Sequence, residues 1–88
     1  MEHTAFFRFH SELEELLAPG QRKRVLAYRF RGHPGIKDPI ETFGIPHSEV
    51  ALIEVNGTAE GQKYQLQPGD QVDVYPLAGA KAQKIVQD

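Results

Sequence analysis

Leu66-Gln67-Pro68-Gly69-Asp70-Gln71-Val72-Asp73-Val74-Tyr75-Pro76, read with Val55-Asn56-Gly57 upstream of it, decides how this chain closes. Proline at the first central position of Gln67-Pro68-Gly69-Asp70 fixes φ, and glycine at the second accepts the positive φ of a type II turn. Asn56-Gly57 lies between apolar stretches and suits a primed turn, in which both central residues need positive φ. Leu52 to Val55 therefore reads as a strand that ends in a reversal, and Gln71 to Pro76 as a strand that leaves a second turn.

Working outward, Ala5, Phe7 and Phe9 alternate with Phe6, Arg8 and His10, the period of a strand with one buried face. The odd-numbered set is expected inside. Ser11 reads as an N-cap with Glu14 completing a capping box, ahead of a short helix carrying Leu13, Leu16 and Leu17. That helix stops before Pro19-Gly20. Val25 to Arg31 alternates again, with Leu26, Tyr28 and Phe30 on one side and Val25, Ala27, Arg29 and Arg31 on the other. After Gly32-His33-Pro34-Gly35, Ile36, Ile40 and Phe43 share one side of a helix that admits Pro39 only in its first turn. Gly44 is its expected C-terminal cap.

The order strand, strand, helix, strand, strand implies an α+β β-grasp fold, with a four- to five-stranded mixed sheet and one main helix on one face. The other face is left to water. The expected domain runs over 1–77, with an alanine-, lysine- and glutamine-rich tail over 78–88. The chain has 88 residues and 40% hydrophobic residues, enough for one modest core. It has no cysteine, which removes disulfides, thiolate ligands and thiol nucleophiles. No apolar run reaches the roughly 18 to 20 residues that span a bilayer, and no basic-then-apolar leader opens the sequence, so a cytoplasmic location without membrane contact is expected. A net charge of −2 argues against a broad electrostatic hold on nucleic acid.

The two turns, in the form Val-Asn-Gly and Leu-x-x-Gly-Asp-x-Val-x-x-Tyr-Pro, resemble the ThiS/MoaD sulfur carriers of the ubiquitin-like superfold. Arg8-Phe9-His10-Ser11-Glu12-Leu13, Gly32-His33-Pro34 and Gly44-Ile45-Pro46-His47-Ser48-Glu49-Val50 extend the likeness. Together, over roughly Ala5 to Leu77, they resemble more closely the ubiquitin-like domain found ahead of the Mut-seven C-terminal, PIN-type ribonuclease domain in many bacterial proteins. That resemblance implies a non-catalytic interaction module, with the acidic metal-binding residues in a separate nuclease domain that acts as its partner. The tail over 78–88 does not resemble the start of such a nuclease, so a stand-alone relative acting in trans is the expectation. The carrier resemblance implies another chemistry, in which an E1-like adenylating enzyme converts a Gly-Gly carboxylate into a thiocarboxylate for thiamine or molybdenum-cofactor synthesis. Here the matching place reads Leu77-Ala78-Gly79-Ala80, and a carrier terminus at Gly79 requires proteolytic trimming of the residues beyond it.

The open sheet face is the expected partner surface. Phe6 and Arg8 would lie beside Arg29 and Ala27 on one flank and Tyr75 and Asp73 on the other, with Leu52 next along and Arg31 at the edge. Aromatic, aliphatic and arginine side chains together suit a protein contact. The same set could stack RNA bases on Phe6 and Tyr75 while the arginines and Arg22-Lys23-Arg24 hold phosphates. Asp73 and Glu54 dilute the positive charge and favour protein. The plainer alternative is a solvated strand face.

Enzyme readings have little support. His3, His10, His33 and His47 are scattered, and His33 and His47 fit roles in the turns beside Pro34 and Pro46, so no metal or other cofactor is expected. Ser11 and Ser48 read as helix or turn caps rather than nucleophiles, and Glu14-Glu15 as solubilising charge. No phosphate-binding glycine loop occurs. A monomer without activity of its own is the expectation.

Overall fold

The alternation that opens the chain becomes strand β1, His3–Phe9, in a computed structural model that describes residues 1–77. Strand β2 is Leu26–Phe30, helix α1 is Lys37–Thr42, and β3, β4 and β5 are Val50–Val55, Thr58–Glu60 and Gln71–Pro76. The five strands form one mixed sheet in the order β2-β1-β5-β3-β4. β1 and β5, the first and last strands, are its parallel central pair, and every other pairing is antiparallel. This is the ubiquitin-like β-grasp arrangement. Of the four to five strands expected, five are found among the described residues, the fifth being the short β4 edge.

Both turns take the conformations that their residues favour. Asn56 and Gly57 have φ of 52° and 85°, and Val55 pairs with Thr58 across them. Gly69 has φ of 80°, and the Asp70 N–H donates to the Gln67 carbonyl at 3.2 Å. A bulge between Val50 and Leu52 resets the alternation of β3. Val50 and Ile53 are thereby both buried, although they are three residues apart.

The core lies between the sheet and α1. Ala5, Phe7 and Phe9 from β1 meet Val72 and Val74 from β5, with Ile36, Ile40, Ile45 and Leu66 closing over them. Phe43, at the end of α1, sets its ring against Phe7, Phe9 and Tyr28. Gly44 follows at φ of 92°, as a helix terminus requires.

The segment after β1 departs from its sequence reading. Residues Ser11–Leu16 form a 3-10 helix rather than an α-helix, His10 occupies the cap position, and no side chain caps it. The His10 N–H donates to the Val74 carbonyl, which keeps His10 in the sheet and forces the chain to turn at Ser11 with φ of 54°. Glu14 cannot complete a capping box there. Its carboxylate instead accepts the Lys23 N–H at 2.8 Å, a structural bond rather than a purely solubilising role. Leu13 and Leu17 are buried, but Leu16, expected beside them, is exposed. Ser48 likewise sits inside a 3-10 turn, His47–Glu49, whose cap position is Pro46.

Candidate functional site

Because Ala5, Phe7 and Phe9 point to α1, strand geometry sends Thr4, Phe6 and Arg8 to the opposite, helix-free face. The registers place Ala27 and Gln71 beside Phe6, Arg29 beside Thr4, and Asp73 beside Arg8. Across β5, Asp73 faces Glu54 and Tyr75 faces Leu52. A hollow of about 330 Å³ opens on this face, lined by Phe6, Arg8, Val25, Gln71, Val72 and Asp73. Phe6 is 39% exposed and Val25 57%, far beyond what a buried phenylalanine or valine in this fold shows. Apolar surface at the hollow thus remains in contact with water.

One end of the face is ordered by polar and ring contacts. His10 Nε2 lies 2.8 Å from Asp73 Oδ1, and the His10 ring stacks on Tyr75 with centroids 4.4 Å apart and planes 12° from parallel. Arg8 is half-buried, and its Nε has no hydrogen-bond partner among the described residues. A buried donor in that state is uncommon in folded proteins.

The residues expected at the site divide into groups. Phe6 and Arg8 meet at the hollow, while Leu52 and Tyr75 lie opposite each other toward the His10 end. Arg29 projects into solvent and pairs with Glu2 at 3.1 Å. Arg31 lies beyond the last residue of β2, so the sheet register does not bring it to the hollow. Arg22 is spent locally, donating to the Leu17 and Glu15 carbonyls. Gly79 lies outside the described residues. The sequence reading put Val25 and His10 on the outward side of their strands but left both out of the partner surface. Both follow the alternation already visible in β1 and β2, extended by one residue at each end.

The turn motif itself is a polar anchor. Asp70 is 4% exposed, and its Oδ1 accepts a hydrogen bond from Asn56 Nδ2 at 3.0 Å. Its Oδ2 accepts from the Tyr64 hydroxyl at 2.7 Å and the Gln67 N–H at 2.8 Å. Asn56 Oδ1 in turn accepts the Gln71 N–H at 2.9 Å. One carboxylate therefore joins the β3–β4 hairpin, Tyr64 and the Gln67–Asp70 turn, and Asn56 carries the link on to the start of β5. Among the described residues, no group of three His, Asp or Glu is placed to hold a metal ion.

A family model described as Mut7-C ubiquitin matches residues 2–82. The chain belongs to the Mut7-C ubiquitin family. No curated protein matches it. The Mut7-C ubiquitin match spans both turns and the whole sheet, so the anchor at Asp70 and the helix-free face both fall within the family domain. Among the described residues, no helix is long and apolar enough to cross a membrane.

Tyr64 makes the anchor testable by pH. Burial, and then the hydrogen bond to Asp70, push its phenol up from the ordinary 10.0 to about 12. The folded state thus holds the proton more tightly than the unfolded state does. The resulting stability is fully present below about pH 10 and is lost as pH rises toward about 12. Urea midpoints of the wild type should fall across that window more steeply than those of Tyr64→Phe. Parallel curves would mean that the hydroxyl contributes nothing at that site.

Proposed function

We propose that this Mut7-C ubiquitin domain is a non-catalytic protein-interaction module whose helix-free sheet face receives a Mut7-C domain. The observation that carries the reading is the exposed Phe6 and Val25 around a hollow on the helix-free strand face. Folding leaves these side chains wet, so a partner that covers them gains the apolar burial that the fold itself does not use. The family name associates the domain with Mut7-C, and the resemblance described above makes that partner a PIN-type ribonuclease domain. Aromatic and arginine side chains at the centre of a patch are the ones that most often dominate binding.

The test is a titration of isotope-labelled protein with a separately produced Mut7-C domain, followed by amide shifts. The expected result is that shifts concentrate on β1, β2 and β5 around Phe6, and that Phe6→Ala weakens binding by about tenfold. Shifts confined to α1 and the 3-10 segments would overturn the proposed face. Titration with single-stranded RNA separates the remaining possibility. Binding of RNA at this face with a steep salt dependence, and none of Mut7-C, would replace the protein reading by a nucleic-acid one.

A further inference from the structure

Resting on the reading of the open face as a docking face, we infer that its occupant is a peptide segment in which a carboxylate side chain is flanked by apolar ones. The carboxylate is received by Arg8, and an apolar neighbour enters the hollow beside Phe6 and Val25. A guanidinium carries five N–H donors in one plane and no acceptor, and a carboxylate matches two of them at once. Arg8 lines the hollow, and among the described residues its Nε, a donor along one edge of that plane, is buried without a hydrogen-bond partner. The carboxylate in register beside it is Asp73, whose Oδ1 is taken up by His10 at 2.8 Å.

The rest of the hollow fixes the remaining chemistry. Phe6 and Val25 present carbon surface, and the volume of about 330 Å³ accommodates a branched aliphatic or aromatic side chain. A basic segment would bring like charge to Arg8 at the centre of the contact. A polyanion would meet Asp73 and Glu54 along the same face, so one carboxylate per segment is the most that Arg8 can balance. The Arg8 guanidinium and the apolar lining therefore select a segment with one carboxylate between apolar side chains.

The probe is the peptide acetyl-Leu-Ser-Leu-Glu-Leu-amide, compared with its neutral counterpart acetyl-Leu-Ser-Leu-Gln-Leu-amide, each added to the labelled full chain. The acidic peptide is expected to bind about fivefold more tightly and to shift the Arg8 Nε–Hε signal. Arg8→Gln should abolish the difference between the two peptides while leaving residual apolar binding. Val25→Glu, at an exposed position that the fold does not depend on, should abolish acidic preference by repulsion. Equal binding of both peptides to the wild type, or a preference that survives Arg8→Gln and Val25→Glu, would overturn the inference. If neither peptide binds while a Mut7-C domain still shifts the Phe6 surface, the carboxylate inference falls and the docking face stands. If neither the peptides nor the Mut7-C domain shifts that surface, both fall.

Discussion

Replacing Asp70 by alanine should cost about 3 kcal/mol or more of folding stability, because three donors lose one buried acceptor group together. Hydrogen bonds to a charged partner contribute about 1.5–3 kcal/mol each, and donors left without an acceptor add a desolvation cost. For a domain of this size the loss corresponds to a melting temperature lower by roughly 12–24 °C, read by thermal denaturation. Asp70→Asn should not rescue it. An amide offers one acceptor oxygen where the carboxylate uses two, and its NH2 would face either Asn56 or the Tyr64 and Gln67 donors. Asn56 cannot compensate by turning its amide over, since its oxygen already accepts the Gln71 N–H. A loss below about 1 kcal/mol for either variant would show that the two turns hold each other without the carboxylate.

A second large effect is expected from two adjacent phenylalanines. Phe7 is fully buried, with its ring near those of Phe9, Tyr28 and Phe43, and Phe7→Ala should cost about 3–5 kcal/mol. Small domains have little stability to spare, so much of this variant should be unfolded without denaturant at room temperature. Phe6→Ala, one residue earlier and facing away, should cost under about 1 kcal/mol. Urea titrations of both variants measure the contrast. Equal losses would mean that Phe6 is covered in solution, which would also remove the surface proposed for docking.

The comparison of Phe6 with Phe7 shows what the amino-acid order made legible. Period-two alternation needs only local geometry, so the buried and open sides of β1 and β2 could be read directly. The same holds for Asn56-Gly57 and Pro68-Gly69, where the backbone conformation is written into the residue types. Ser11 and Glu14 looked like a capping box because each has the right chemistry at the right spacing. The outcome turned on His10, held in the sheet by Val74 from the far end of the chain, a contact that local spacing does not encode. His10 itself was read as one of four scattered histidines for the same reason, since its partners Asp73 and Tyr75 come from β5. The bulge in β3 also depends on pairing between distant strands. The face was legible as a face, whereas the hollow within it was not.

The central position of β5 sets an order of events during synthesis. A ribosome extends the chain from its N-terminus, and β1 cannot gain its parallel neighbour until the residues through Pro76 have emerged. Until then Phe7 and Phe9 have β2 and α1 to shelter them but no strand on their second edge. The nascent domain is therefore open to chaperones and proteases for most of its translation, and closure comes as a late, long-range step. Any polypeptide joined after Leu77 would leave the ribosome behind a sheet that has only just acquired its middle strand.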